Sequence, residues 1–142
     1  MFIRQATLKD TPYVIALIQE LAQSDGETSP ISPADVAIYL AQPGSVILLV
    51  ESEKEILGLL SYSIRHDLYH AAKTCTIETL IVRSDARGMG TGSALLKEVL
   101  ARGMKEGWAE VSVTTMPDNQ EAQAFYRKHG LVDEAIYLEK HF

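Results

Sequence analysis

The sequence has little of what would place it in several protein classes. Among its 142 residues there is one cysteine, Cys75, which excludes an internal disulfide framework. Its apolar runs are only a few residues long, whereas a membrane-spanning helix needs about 20. No basic segment followed by a long apolar stretch opens the chain, so no signal peptide is predicted. These absences favour a cytoplasmic globular protein without a membrane partner.

Positive charge is also scarce. The chain has 13 Lys and Arg residues against 19 Asp and Glu residues, and its formal net charge is −6. Nucleic-acid binding needs clustered basic side chains that neutralise phosphates, so a nucleic-acid partner is not expected. The acidic balance is compatible with a cationic acceptor such as an amine, although solubility alone explains it more simply.

A metal site is not expected either. His66 and His70 are four residues apart, a spacing that would bring two imidazoles together on a helix. They fall in a predicted link between strands, where that spacing has no such meaning. Cys75 lies in an apolar strand and is predicted to be a small core residue.

The apolar pattern predicts a single α/β domain over residues 1–142. An antiparallel meander comes first, and strands then alternate with helices, which is typical of a mixed sheet. The predicted strands are 2–6, 45–51, 56–66, 74–82, 110–115 and 131–139, and the predicted helices are 10–24, 33–40, 91–106 and 119–129, the last with Asp118 as its N-cap.

A glycine-rich turn separates the strand that ends at Val82 from the helix that follows. Its sequence is Arg87-Gly88-Met89-Gly90-Thr91-Gly92. Free amides at a helix N-terminus bind anions, and glycines let a phosphate approach the backbone closely. A Walker loop would need a lysine that is absent, and a dinucleotide fingerprint would need a further glycine or alanine where Ser93 or Leu95 stands. The turn therefore predicts a pyrophosphate site of another kind.

A second motif lies downstream, Asn119-x-x-Ala122-x-x-Phe125-Tyr126-x-x-x-Gly130. Together with the Arg-x-x-Gly-x-Gly turn and the strand before it, this motif resembles the GNAT superfamily of N-acetyltransferases. The resemblance covers essentially the whole chain. It implies a GNAT fold, which is a mixed six- to seven-stranded sheet with an antiparallel first half, splayed central strands and about four helices. It also implies direct acetyl transfer from acetyl-CoA, without a metal.

The resemblance implies acetyl-CoA contacts in three places: the end of a strand, the glycine turn, and the helix of the second motif. The residues are Leu80, Ile81, Val82, Arg87, Gly88, Met89, Gly90, Thr91, Gly92, Ser93, Asn119, Ala122 and Phe125.

Two side chains have expected catalytic roles. Tyr126 resembles the family's general acid, which protonates the leaving thiolate. Glu78 is the candidate general base, and a role as an anchor for the acceptor's ammonium group remains open. The two-residue alternation of a strand predicts that Glu78 and Val82 lie on the same face.

The acceptor is expected to be a primary amine of a small molecule. Two polar loops are candidates for the acceptor pocket, the first with Asp25 and Glu27 and the second with Tyr69 and His70. Two alternatives stay open, a protein or peptide N-acetyltransferase and a non-catalytic CoA-binding sensor of the same fold. Homodimers are common in the family, but no feature of the sequence selects a dimer.

Overall fold

The chain forms one five-stranded sheet with helices on both faces, in a computed structural model that describes all 142 residues. The strands follow each other in chain order across the sheet, β1 to β5. They are β1 Phe2–Gln5, β2 Ser45–Ser52, β3 Glu55–Asp67, β4 Ala72–Val82 and β5 Glu110–Val113. The α-helices are α1 Thr11–Ser24, α2 Pro33–Ala41, α3 Thr91–Glu106 and α4 Gln120–Lys128. None of these helices is long and apolar enough to cross a membrane.

The inner strand β2 is buried on both faces, and its residues alternate between two apolar clusters. Leu48 and Val50 join the cluster beneath α3, which we call the α3 face. Ile47 and Leu49 join the cluster beneath α1 and α2, which we call the α1–α2 face. A continuous apolar run, here residues 46–50, is typical of a strand buried on both faces.

The first four strands are antiparallel, and β5 runs parallel to β4, as expected for this fold class. The pairing of β4 with β5 stops early, however. It joins Thr74–Ile77 to Glu110–Val113, whereas β4 continues to Val82. The backbone from Glu78 to Val82 therefore has no strand beside it on the β5 side, and this gap is the expected splay of the central strands.

The predicted strand over residues 131–139 is wrong, and the sheet has five strands rather than six or seven. Residues 131–142 form no regular secondary structure, and all of them beyond Leu131 are exposed. The alternation of apolar residues in this segment is suited to a strand. A strand also needs a neighbour that supplies backbone partners, and no strand of this chain pairs with the segment.

Gly58 on β3 allows the start of α3 to pack closely against the sheet. Gly58 on β3 pairs with Val82. A Cβ atom on Gly58 would lie 3.1 Å from the carbonyl oxygen of Ile81 and 3.2 Å from Cγ2 of Thr91. The absence of a side chain at Gly58 therefore permits a close backbone approach at this point. It allows the first residue of α3, Thr91, to be buried against the sheet at 1% exposure.

Candidate active site

The glycine turn places free amides at the start of α3. The first backbone bond of the helix runs from the Ala94 N–H to the Gly90 carbonyl, at 2.9 Å. The amides of Thr91, Gly92 and Ser93 precede this bond, so none of them has a helical acceptor. They lie at the positive end of a helix of 16 residues.

Two glycines open the space in front of these amides. Gly88 and Gly90 have φ values of 78° and 79°, in the left-handed region that other residues rarely adopt. No atom lies within 4 Å of the position that a Cβ atom would take on either glycine. A ligand can therefore approach the backbone directly, as a phosphate group requires.

Arg87 ties the turn to the end of β4. Its Nε donates to the carbonyl oxygen of Val82 at 3.2 Å, and one of its terminal nitrogens lies 3.9 Å from Glu20 on α1. The guanidinium is more than half exposed. It therefore remains accessible to an anion at the turn while it fixes the turn's position.

Helix α4 approaches the first turn of α3 through two contacts. A Cβ atom on Gly92 would lie 3.6 Å from Phe125 Cζ and 3.6 Å from Val82 Cγ2. The three predicted contact residues Val82, Gly92 and Phe125 therefore meet at one point. The absence of a side chain on Gly92 leaves α3 and α4 close together there.

The second contact is a hydrogen bond between Ser93 and His129. The Nδ1 of His129 lies 2.8 Å from the carbonyl oxygen of Phe125, and its Nε2 lies 2.6 Å from Ser93 Oγ. A carbonyl can only accept, so Nδ1 carries a proton and donates it to Phe125, and in the neutral imidazole Nε2 then accepts from the Ser93 hydroxyl. His129 was not predicted from the sequence, where it marked only the end of a helix.

The remaining residues that were predicted to contact acetyl-CoA differ in the groups that they expose to a ligand. Asn119 caps α4, because its Oδ1 accepts from the amide of Ala122 at 3.1 Å. Thr91 is buried, and its hydroxyl lies 3.9 Å from the sulfur of Met1, so its side chain is not available to a ligand. The side chain of Ile81 is buried in the α1–α2 face, whereas that of Leu80 packs against the opposite cluster. Met89 is exposed beside the glycines.

Tyr126 lies in the second half of α4 as a half-buried side chain of the α3-face cluster. Its ring meets that of Phe125 edge to face, with 5.2 Å between centroids. Burial raises the pKa of Tyr126 to about 12. The phenol is therefore protonated throughout the neutral range, which is the state that a proton donor needs.

Glu78 lies on the opposite side of the sheet from Val82, so the predicted shared face is wrong. A β-bulge causes the difference: Tyr62 of β3 pairs with Ile77 and Ser61 pairs with Thr79, so Glu78 is an extra residue without a partner. One extra residue reverses the alternation of side chains. Val82 packs into the α3-face cluster, whereas Glu78 meets α2.

The contact on α2 is Tyr39, which the sequence analysis missed. Its hydroxyl donates to Glu78 Oε1 at 2.7 Å and also lies 3.2 Å from the carbonyl oxygen of Tyr62. Burial, and then the neighbouring Glu78 carboxylate, raise the pKa of Tyr39 above its usual range. Tyr39 therefore stays protonated and holds the otherwise exposed carboxylate in one position. The two residues are 39 positions apart, and no local pattern could have linked them.

The unpaired stretch of β4 connects these two regions. Glu78 stands at its beginning and Val82 at its end, about 13 Å apart along an extended strand. A carboxylate at one end, free helix amides at the other and an unpaired backbone between them form an extended site. This site can bind an elongated ligand with a phosphate group at one end.

Two of the four predicted acceptor residues lie away from this site. Tyr69 and His70 lie in the turn between β3 and β4, about 20 Å along the strand from Glu78. There the carboxylate of Asp67 accepts from the His70 amide and lies 2.7 Å from its Nδ1. Asp25 and Glu27 are exposed in the loop after α1, and neither makes a side-chain hydrogen bond to Glu78 or Tyr39.

A cavity lies elsewhere, between the link after β1 and helix α2. It has a volume of about 350 Å³ and is lined without any charged side chain, mainly by residues of Gln5–Leu8, α2 and Ser45–Ile47. It contains none of the groups that acid–base chemistry would require.

Comparison with known proteins gives a consistent result. The sequence model of the Acetyltransferase (GNAT) family matches residues 14–131. An aminoalkylphosphonate N-acetyltransferase of Salmonella typhimurium is 28% identical over 140 residues, which cover 99% of this chain and 86% of that protein. A solved putative acetyltransferase from Agrobacterium tumefaciens superposes with a TM-score of 0.90 at 24% identity, with all of both chains covered.

A solved aminoglycoside acetyltransferase from an uncultured soil metagenomic sample has a TM-score of 0.84 at 20% identity, over 99% of this chain and 94% of its own. Solved structures at this identity show the fold, and the family match covers most of the chain. The chain belongs to the GNAT family of N-acetyltransferases and is an acyltransferase enzyme.

Proposed function

We propose that this enzyme transfers the acetyl group of acetyl-CoA directly to a primary amine of a small molecule. The observation that carries the proposal is the alignment of three features along one line. They are the free amides of α3, the unpaired end of β4 and the carboxylate of Glu78. Members of the family use acetyl-CoA as the acyl donor.

The donor fits the residues at the glycine turn. The pyrophosphate of acetyl-CoA lies against the amides of Thr91, Gly92 and Ser93, where the helix dipole and Arg87 stabilise its charge. The pantetheine arm continues along β4, because its amide groups can bond the backbone that β5 leaves free. This direction of binding carries the thioester away from the turn and along the unpaired strand.

The acyl transfer then requires three proton movements. Glu78 accepts a proton from the acceptor's ammonium group, directly or through water, and leaves a nucleophilic amine. The amine nitrogen attacks the thioester carbon, and backbone amides between Leu80 and Val82 stabilise the oxyanion. As the new C–N bond forms and the C–S bond breaks, the thiolate takes a proton from Tyr126, and the second proton lost by the nitrogen returns through water to the Tyr126 oxygen.

The acceptor is assigned to small amines on two grounds. The names of two relatives, an aminoalkylphosphonate and an aminoglycoside acetyltransferase, describe amine-bearing small molecules. Glu78 also supplies a carboxylate that can pair with the ammonium group of such a molecule.

A thiol-release assay over a panel of amines tests this assignment. With acetyl-CoA present, aminoalkylphosphonates and aminoglycosides are expected to release CoA faster than peptides with free N-termini. Faster release with the peptides would instead favour a protein or peptide acetyltransferase. CoA binding without turnover on any amine would favour the sensor.

The turn is tested by replacing Gly90 with valine. Gly90→Val is expected to weaken acetyl-CoA binding at least tenfold in calorimetry, because a β-branched residue disfavours φ of 79° and fills the ligand's approach. Gly107→Val is the matched control. Gly107 has φ of 73° and equally open surroundings, but it lies at the other end of α3. Equal affinity in the two variants would refute the proposed pyrophosphate site.

Tyr126→Phe tests the proton donor. Turnover is expected to fall about ten- to a thousandfold with little change in acetyl-CoA affinity, because the variant keeps the ring and loses the proton. The wild-type advantage should persist at least to pH 10, since the pKa of Tyr126 is raised to about 12. Tyr13→Phe, at an exposed position on α1, is the control. Unchanged turnover in Tyr126→Phe would remove this residue from the mechanism.

The contact between Tyr39 and Glu78 is tested by a double-mutant cycle. Glu78→Gln is expected to lower kcat about a hundredfold or more, and Tyr39→Phe about five- to twentyfold, because the carboxylate loses its fixed position. In the Glu78→Gln background, Tyr39→Phe should have little further effect, since coupled residues are not additive. Full additivity of the two effects would assign Tyr39 a role unrelated to Glu78.

A further inference from the structure

His129 connects the end of α4 to the start of α3. Its Nδ1 lies 2.8 Å from the carbonyl oxygen of Phe125, and its Nε2 lies 2.6 Å from Ser93 Oγ. Its ring also packs on the ring of Phe125, with 4.7 Å between centroids. Both ring nitrogens are therefore engaged, and the imidazole is held in one orientation between the two helices. No step of the proposed acyl transfer uses this residue.

Ser93 offers a side-chain hydroxyl at the place where a phosphate binds. It stands at the third position of α3, and its amide has no helical acceptor. Side chains on a helix tilt toward the N-terminus, so the hydroxyl lies on the same side as the free amides. A phosphate oxygen bound by the Ser93 amide is therefore within reach of the hydroxyl of the same residue. Of the other two residues with free amides, Gly92 has no side chain and Thr91 is buried.

The hydroxyl of Ser93 has one proton, and it can donate only one hydrogen bond. While His129 is neutral, the single imidazole proton is used on the Phe125 carbonyl, so Ser93 gives its own proton to Nε2. The serine oxygen then presents only lone pairs to the turn, and these repel a phosphate oxygen. A bound phosphate therefore favours the reverse arrangement, in which a protonated His129 donates to Ser93 and Ser93 donates to the phosphate.

No carboxylate of the free chain is placed to pair with a protonated His129. The histidines with a carboxylate oxygen within 4.0 Å are His70 and His141. The charged side chains on the surrounding elements are mostly cations, and the two acids among them already pair with arginines. They are Lys97 one turn after Ser93 on α3, Arg127 and Lys128 on α4, Asp133 paired with Arg127, and Glu20 paired with Arg87 at the glycine turn. A bound pyrophosphate supplies the negative charge that an imidazolium lacks here.

We propose that His129 takes up a proton from solvent when acetyl-CoA binds, and that the imidazolium turns the Ser93 hydroxyl toward the pyrophosphate. The inference rests on the pyrophosphate site of the proposed function. His129 is a positioning residue, because it acts through Ser93 and does not touch the reacting atoms. Histidine side chains in ordinary surroundings change charge between pH 5 and 8. Binding that requires the protonated ring is favoured at low pH, so the affinity for the donor falls as the pH rises through this range.

The probe for the test is the 3′-dephospho form of acetyl-CoA. It keeps the pyrophosphate, and it lacks the terminal phosphate and the free thiol, which would themselves titrate near neutral pH. Calorimetry in two buffers of different ionisation enthalpy measures the protons taken up on binding. At pH 7 the wild-type chain is expected to take up a fraction of one proton per ligand. Its dissociation constant should rise at least about threefold between pH 6 and pH 8.

Two variants test the route through Ser93. Glutamine can donate to Ser93 but does not titrate, so His129→Gln should bind the probe without proton uptake and with an affinity that does not change over this pH range. Ser93→Ala should also lose the uptake and bind about three- to tenfold more weakly, whereas Ser93→Thr keeps a hydroxyl and should retain it. His66→Gln is the matched control, because His66 is exposed on β3 and should leave the uptake unchanged. Circular dichroism checks that each variant folds.

Nitrogen-15 NMR of the imidazole observes the proton directly. At a pH where the free enzyme shows His129 as the neutral ring with its proton on Nδ1, saturation with the probe should place a proton on both ring nitrogens. The same titration should leave the ring nitrogens of His66 unchanged.

Two results would overturn the proposal and leave the pyrophosphate site intact. They are binding of the probe by the wild-type chain without proton uptake, and uptake that persists in His129→Gln. Failure of the probe to bind at any pH would instead count against the pyrophosphate site itself, and so against the proposed function as well.

Discussion

The site depends on a difference in length between two neighbouring strands. Strand β5 ends at Val113, opposite Ile77, while β4 continues to Val82. Backbone groups in a sheet need partners, and those of Glu78–Val82 lack them on one side. A ligand with amide groups of its own can supply these partners without displacing any strand. The gap is reached from both faces of the sheet. Tyr39 of α2 contacts Glu78 at its beginning, and Gly92 of α3 and Phe125 of α4 lie beside Val82 at its end.

Two further contacts place the glycine turn and the start of α3 at the end of this unpaired stretch of β4. Gly58 on β3 allows Thr91 to pack tightly, so α3 begins directly at the end of β4. Arg87 bonds the Val82 carbonyl and keeps the turn over the strand end. The contact between Ser93 and His129 then holds α4, with Tyr126, against the same turn. The helix amides, the unpaired backbone and the phenol are thus fixed relative to one another by short-range contacts.

The sequence predicted the features that local chemistry determines. Glycines at 88, 90 and 92, and the motif from Asn119 to Gly130, are local patterns with a direct physical meaning. The bond between Tyr39 and Glu78 was not predictable, because it joins distant residues and depends on a bulge that reversed the expected face of Glu78. The strand predicted over residues 131–139 failed for a related reason. A pattern can favour a strand, but it does not say which edge supplies the partner.

The central claim is that acetyl-CoA lies along the unpaired end of β4 with its pyrophosphate on the amides of α3. Amide chemical shifts of the isotopically labelled protein during a titration with CoA test this claim most directly. The account predicts the largest shifts at Thr91, Gly92 and Ser93 and along residues 79–82, with little change in β1 or in the turn that holds Tyr69. Large shifts confined to the cavity beside α2, with none at the start of α3, would contradict it.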